Sequence, residues 1–191
     1  RERVGQEMRK LLASPVPDAA LMLMMRDGIL DHVLDPTRNR RILRKRLAML
    51  HMAENLLDLA PDTILRLELL ADTPPSDELR LSRHEEKRFR TLRKFALGAD
   101  DAAMLGYRLG DTDARAALAL RHILDTRSNI PDDAVARIER GARAKFPVSG
   151  HDLDGLFSGP DIGRILNALE SRWIASDFSL TREDMLTRPN G

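Results

Sequence analysis

Residues 38–57 read RNRRILRKRLAMLHMAENLL, and their period decides the fold class. Ile42, Leu43, Leu47, Leu50 and Leu57 recur at helical spacing, so they form the buried stripe of one long amphipathic helix. The first half of that helix carries Arg38, Arg40, Arg41, Arg44, Lys45 and Arg46 without a single acid. Positions 40 and 44, and 41 and 45, fall on adjacent faces and give a broad positive edge opposite the leucines.

The same period continues on the N-terminal side. Val4, Met8, Leu11 and Leu12 mark a helix that Pro15 and Pro17 end. Asp18 is expected to cap a second helix, whose centre LMLMM (residues 21–25) is apolar all round and should be buried. Gly28 is placed to close it in a left-handed conformation, and a short helix then stops before Pro36. Toward the C-terminus, Pro61 suits the first turn of a helix carrying Ile64, Leu65, Leu67, Leu69 and Leu70.

Residues 73–78, with Pro74 next to Pro75, read as the clearest linker. Ser82 and Glu85 then form a capping box, in which each satisfies the other's free backbone donor. The helix that follows presents Arg83, Lys87, Arg90 and Lys94 as a second basic stripe, partly offset by Glu85 and Glu86. Gly98 ends it; Asp100 or Asp101, then Thr112 or Asp113, then Pro131 open three more helices. No convincing strand alternation occurs, and at most residues 146–148 are briefly extended. The expected fold is therefore all-α, an elongated multi-helix array, divided as 1–72, 79–145 and 146–191.

Composition agrees. Hydrophobic residues make up 42% of the 191 and aromatics only 4%, so the core is built from Leu, Ala, Met and Ile, which favour helices. Cys is absent, which excludes disulfides and thiolate metal sites and fits a reducing cytoplasm. The longest apolar run, residues 19–25, is far short of a membrane span. An opening without Met, already in helical register, leads us to expect a boundary inside a longer polypeptide. The net charge of +1 conceals an uneven distribution: residues 38–46 and 80–94 are basic, whereas 151–191 are acidic.

Two segments resemble the bacterial CCA-adding tRNA nucleotidyltransferase and poly(A) polymerase family, whose members join an N-terminal head to a helical neck, body and tail. RERVGQEMRKLL (residues 1–12) is similar to the family's neck motif, realised as Arg3, Glu7 and Lys10. VSGHDL (148–153) followed by GPDIGRILNALESRWIASDF (159–178) is similar to its tail signature. The resemblance implies residues 1–72 as neck-type helices, 79–145 as body and 146–191 as tail. It also implies that Arg3, Glu7 and Lys10 brace the head, although their spacing alone makes them only a solvated set of helix pairs.

Further implications concern the partner. A family member would bind tRNA by backbone and shape, using the two basic stripes, while its own catalytic head adds nucleotides with Mg2+ and CTP or ATP. No cofactor site is expected in this chain itself. Asp111 with Asp113, and Asp152 with Asp154, have the spacing of a metal-binding carboxylate pair but read as caps and turn anchors. The choice among CCA, A and poly(A) addition is not encoded here.

Two other classes compete. A helical scaffold that binds protein needs only the same faces. A metal phosphohydrolase of the HD type would use His122, His151, Asp152 and Asp184, but its His-Asp pair falls on a turn, where convergence on one metal is difficult. Gly159, Pro160 and Gly163 could expose backbone donors to a phosphate. With Asp161 there, we expect Gly163 instead to allow close helix approach, and Leu166, Leu169, Trp173 and Ile174 to pack the tail.

Overall fold

Twelve α-helices and one 3-10 turn, without a strand, make up the described residues. The computed structural model describes residues 2–34, 40–125, 128–153 and 160–187, with the side chains of Glu2 and Arg40 left out. In order these are α1 (Glu2–Ala13), α2 (Asp18–Arg26), α3 (Ile29–Val33), α4 (Arg40–Leu56), α5 (Thr63–Glu68), α6 (Ser76–Leu79) and α7 (Arg83–Ala96). Then follow α8 (Ala102–Leu109), α9 (Asp111–Leu124), α10 (Ala134–Arg143), the 3-10 turn (Gly150–Leu153), α11 (Pro160–Ala175) and α12 (Arg182–Leu186).

The centre of the array is α9. Seven consecutive residues from Ala114 to Leu120 are buried, and four are Ala, which lets neighbours approach on every side. α4, α5, α7, α8 and α10 all pack on it. One apolar cluster runs from Met8 in α1 to Ile138 in α10, across the expected linker. A second, built on Val148, Trp173 and Met185, holds the C-terminal part together. There Trp173 meets Tyr107, Phe146 and Phe178 with ring centroids 5.0–5.5 Å apart.

Two helix crossings depend on glycine. Gly106 of α8 lies against the Ile138 carbonyl of α10, and Gly141 of α10 against the Ala103 carbonyl of α8. At the other crossing, Gly5 of α1 lies against the Leu79 carbonyl of α6. No side chain fits at any of these positions.

Two buried arginines, Arg66 and Arg115, and the half-buried Arg121 tie the array from within. Arg66, 1% exposed, pairs with Glu54 and donates to the carbonyls of Leu12 and Ser14. Arg115 joins Asp111 and Glu139 and donates to the Leu57 carbonyl. Arg121 donates to the carbonyls of Phe95, Ala96 and Asp100, which ties the end of α7.

Several expectations are corrected. Asp18 starts α2 without capping it and pairs with His51 Nε2 at 2.8 Å. Leu23 of α2 and Ile42 of α4, expected inside, are about half exposed; α2 fully buries only Leu21 and packs Met22, Met24 and Met25 against the core as partly buried side chains. Asp62, and not Pro61, starts α5, accepting from the backbone N–H groups of Ile64 and Leu65. Ser76–Leu79, within the expected linker and just beyond it, is a short helix packed on α1. α9 begins at Asp111 after Gly110, with no side-chain cap. Gly163 faces open space among the described residues, so it makes no close helix approach.

Candidate nucleic-acid interface

The capping box fixes where α7 begins: Ser82 Oγ accepts from Glu85 N–H, and Glu85 accepts from Ser82 N–H at 2.7 Å. That start sets the rotation of every later residue. Phe89, Leu92 and Ala96 point into the core, and the two arginines beside them follow. Arg88 is held between Asp62 and Asp113, and Arg93 between Glu68 and Asp72. Arg83, Lys87, Arg90 and Lys94 are left on the exposed face, and none of them forms an ion pair among the described residues. The helix thus sorts its own cations into internal ties and a free outer stripe, in steps of three and four residues.

Electrostatics along that stripe are not uniform. Arg90 borders a hollow of about 730 Å³ that also holds Asp31, Asp77, Glu78 and Glu86, so its field is offset by carboxylates. Lys94 lies 5.6 Å from the Phe95 ring centre. Arg83 and Lys87, at the start of the stripe, are exposed to solvent.

The α4 cluster is arranged differently. Arg41, Arg44 and Lys45 are exposed, whereas Arg46 is half buried. Arg38 lies outside the described residues, and of Arg40 only the backbone position is described. Arg41 and Arg44, together with Arg26 of α2, border a groove of about 660 Å³ lined by Ala19, Met22 and Leu23. Its wall is the apolar centre of α2 that the sequence placed in the core. α4 and α7 both pack on α9.

In α1, Lys10 Nζ lies 2.9 Å from Glu7 Oε1, and both side chains are well exposed. Arg3 is also exposed and makes no ion pair among the described residues. The residue that connects α1 to the basic helix is Arg9. It pairs with Glu85 at 3.0 Å and donates to the Arg80 carbonyl. Burial pushes the Glu85 carboxyl up, but Arg9 and the Ser82 N–H outweigh it and hold it at about 2. Nothing in the local sequence marks Arg9, since its partner is 76 residues away.

Of the acidic and histidine residues weighed as catalysts, Asp111, Asp113, Asp152, Asp184 and His122 are engaged in structural contacts. Asp111 pairs with Arg115 and Asp113 with Arg88. Asp152 accepts from Arg182 and from Ser149 N–H, which hold its carboxyl at about 2; Asp154 lies outside the described residues. Asp184 forms a capping box with Thr181, and His122 Nδ1 meets the Ser128 carbonyl. Among the described residues no group of three or more His, Asp or Glu could hold a metal ion. With Asp111, Asp113 and Asp152 each paired to an arginine, these carboxylates do not present a Mg2+ site. Nor is any described helix long and apolar enough to cross a membrane.

No curated protein matches the chain. Residues 1–39, which hold α1, α2 and α3, are similar to a poly(A) polymerase-type RNA-binding region: they match the family whose model is described as "Probable RNA and SrmB- binding site of polymerase A".

Proposed function

We propose that this chain is the RNA-binding portion of a tRNA nucleotidyltransferase of the CCA-adding or poly(A) polymerase kind, working in the cytoplasm. Exposed cations on α7 and α4 grip the phosphates of folded tRNA, and a catalytic head elsewhere in the polypeptide adds nucleotides with Mg2+ and CTP or ATP. The observation that carries the reading is the sorting on α7, where Arg88 and Arg93 are consumed by the core and Arg83, Lys87 and Lys94 are kept outside it. The match over residues 1–39 supports the same class of partner. In this reading Arg3, Glu7 and Lys10 form the solvent-facing edge on which the head rests. Recognition by shape and backbone suits an enzyme that accepts many RNAs of one fold.

The α2–α4 groove favours a second reading for that one surface. An apolar wall with a cationic rim fits an acidic amphipathic protein segment better than a phosphate chain, because phosphate gains nothing from Leu23.

Gel-shift titrations of tRNA at two salt concentrations separate the two. Charge reversal at Arg83 and Lys87 should weaken tRNA binding and lower the salt slope by about 1 for each phosphate-binding cation removed. Reversal at Arg41, Arg44 and Lys45 reports on the α4 edge in the same way. Absence of tRNA affinity at low salt, or indifference to both sets of changes, overturns the RNA reading.

A further inference from the structure

The last helices border an open cavity of about 820 Å³ that no motif in the sequence announces. Its floor is apolar and aromatic: Trp173, 3% exposed and the only Trp in the chain, lies with Phe178 and Leu180. Its rim is cationic, with Arg140 and Arg143 from the end of α10, Lys145 just after it, and Arg182 from α12. This is an inversion of the local sequence, since residues 151–191 are acidic overall. The positive rim arises because α10 lays its C-terminal arginines over the tail.

The carboxylates present do not exhaust these cations. Among the described residues, Glu139 and Asp177 are the only acids lining the cavity, against four basic groups. Arg140 meets Asp177 through Nη2 alone, and Arg143 meets Glu139 through Nη2 alone. Each guanidinium has five N–H donors, so both retain donors for a further acceptor. Lys145 is exposed and has no ion-pair partner among the described residues. Arg182 is committed to Asp152 by two nitrogens and contributes mainly its charge.

The turn that forms the floor is held under strain. Asp177 and Phe178 both have positive φ, at 59° and 62°, a conformation costly for side chains other than glycine. It is imposed by two closures. The Phe178 N–H reaches the Trp173 carbonyl, and the Asp177 N–H the Ile174 carbonyl, the pairing of a Schellman end with Asp where glycine is usual. The result places the Phe178 ring 5.0 Å from Trp173.

We propose that this cavity binds a nucleotide, its base against the Phe178–Leu180 floor and its phosphate on Arg140, Arg143 and Lys145. An apolar, partly aromatic surface next to cations with spare donors matches a nucleobase joined to a phosphate, and neither half alone uses the whole site. The role of the site rests on the RNA reading, in which the occupant is one unstacked nucleotide of the bound RNA; the binding itself does not.

Trp173 supplies the assay. Its fluorescence is followed on titration with AMP, with adenosine, with inorganic phosphate and with a short adenosine oligoribonucleotide. AMP and the oligonucleotide should quench saturably, AMP about tenfold more tightly than adenosine or phosphate. Lys145→Glu and Arg143→Glu, both at exposed positions, should each weaken AMP about tenfold, whereas Arg164→Glu, exposed on α11 and outside the lining, should leave it unchanged. Circular dichroism checks that each variant is folded. No saturable response to AMP, equal affinity for phosphate and AMP, or indifference to Lys145→Glu each overturns the proposal. If AMP binds here while tRNA fails in the gel shift, the cavity stands and the RNA reading falls; if tRNA binds while AMP does not, only the cavity falls.

Discussion

Gly106 and Gly141 face each other across the crossing of α8 and α10, each pressed against the backbone of the opposite helix. The contact is reciprocal: Gly106 lies under Ile138 and Ala142, Gly141 under Ala103 and Tyr107. Because the obstacles are main-chain atoms, a rotamer change cannot relieve an added methyl. This is the most extensive helix pair among the described residues, and it also positions Tyr107, which meets Trp173 edge-on.

Gly106→Ala and Gly141→Ala should therefore each destabilise the fold by about 1–3 kcal/mol or more, the usual cost of overpacking. Gly163→Ala, made in a helix where the new methyl meets open space among the described residues, should instead stabilise by about 0.5–1 kcal/mol. Urea midpoints of the three variants give the comparison. Equal effects from all three would contradict the crossing.

Arg66 carries a second prediction. Its guanidinium is 1% exposed and satisfies both Glu54 and the carbonyls that end α1. Arg66→Met would leave the Glu54 carboxylate buried without its cation and should cost about 3–5 kcal/mol. Double replacement with Glu54→Leu should recover part of that loss, since two apolar groups leave no charge uncompensated. Thermal or urea unfolding measures both, and no recovery in the double variant would place the cost elsewhere.

A third concerns pH. Glu85 is partly buried, which raises its pKa, but Arg9 and Ser82 lower it to about 2 from the usual 4.5. A carboxyl depressed by folding contributes stability that is complete above its unfolded value and is lost as pH falls toward its folded value. The stability difference between the native protein and Glu85→Gln should be constant above pH about 5 and shrink as pH drops below about 4.5. Urea midpoints measured across that window test it; a difference that grows on acidification would reverse the sign.

Much of this was legible in the sequence wherever cause and effect are close in the chain. The Ser82–Glu85 and Thr181–Asp184 boxes, the αL Gly28 and the leucine stripe of α4 are local, and each lies where its spacing puts it. Helix ends without glycine were not legible: Asp58, Arg80 and Asp177 all adopt positive φ, forced by hydrogen bonds and packing that the one-dimensional pattern does not contain. The fate of Leu23 was equally hidden, because an all-apolar helix centre indicates burial only if neighbours surround it, and α2 lies at the edge of the array. On α7, spacing identified the outer stripe, but three of the four acids beside Arg90 come from α3 and from residues 77–78. The tail cavity joins α10 to α12 across a segment of opposite charge, so no window of residues contains its composition.

The apolar cluster that runs unbroken from Met8 to Ile138 bears on how such a chain could be rearranged by recombination. Residues 1–39 are not a cassette to be lifted into another protein, for Met8, Leu12, Leu21, Leu30 and Leu34 form one half of a surface whose complement lies farther along the polypeptide. Any inheritance of that stretch that preserves its shape has to carry the complement with it.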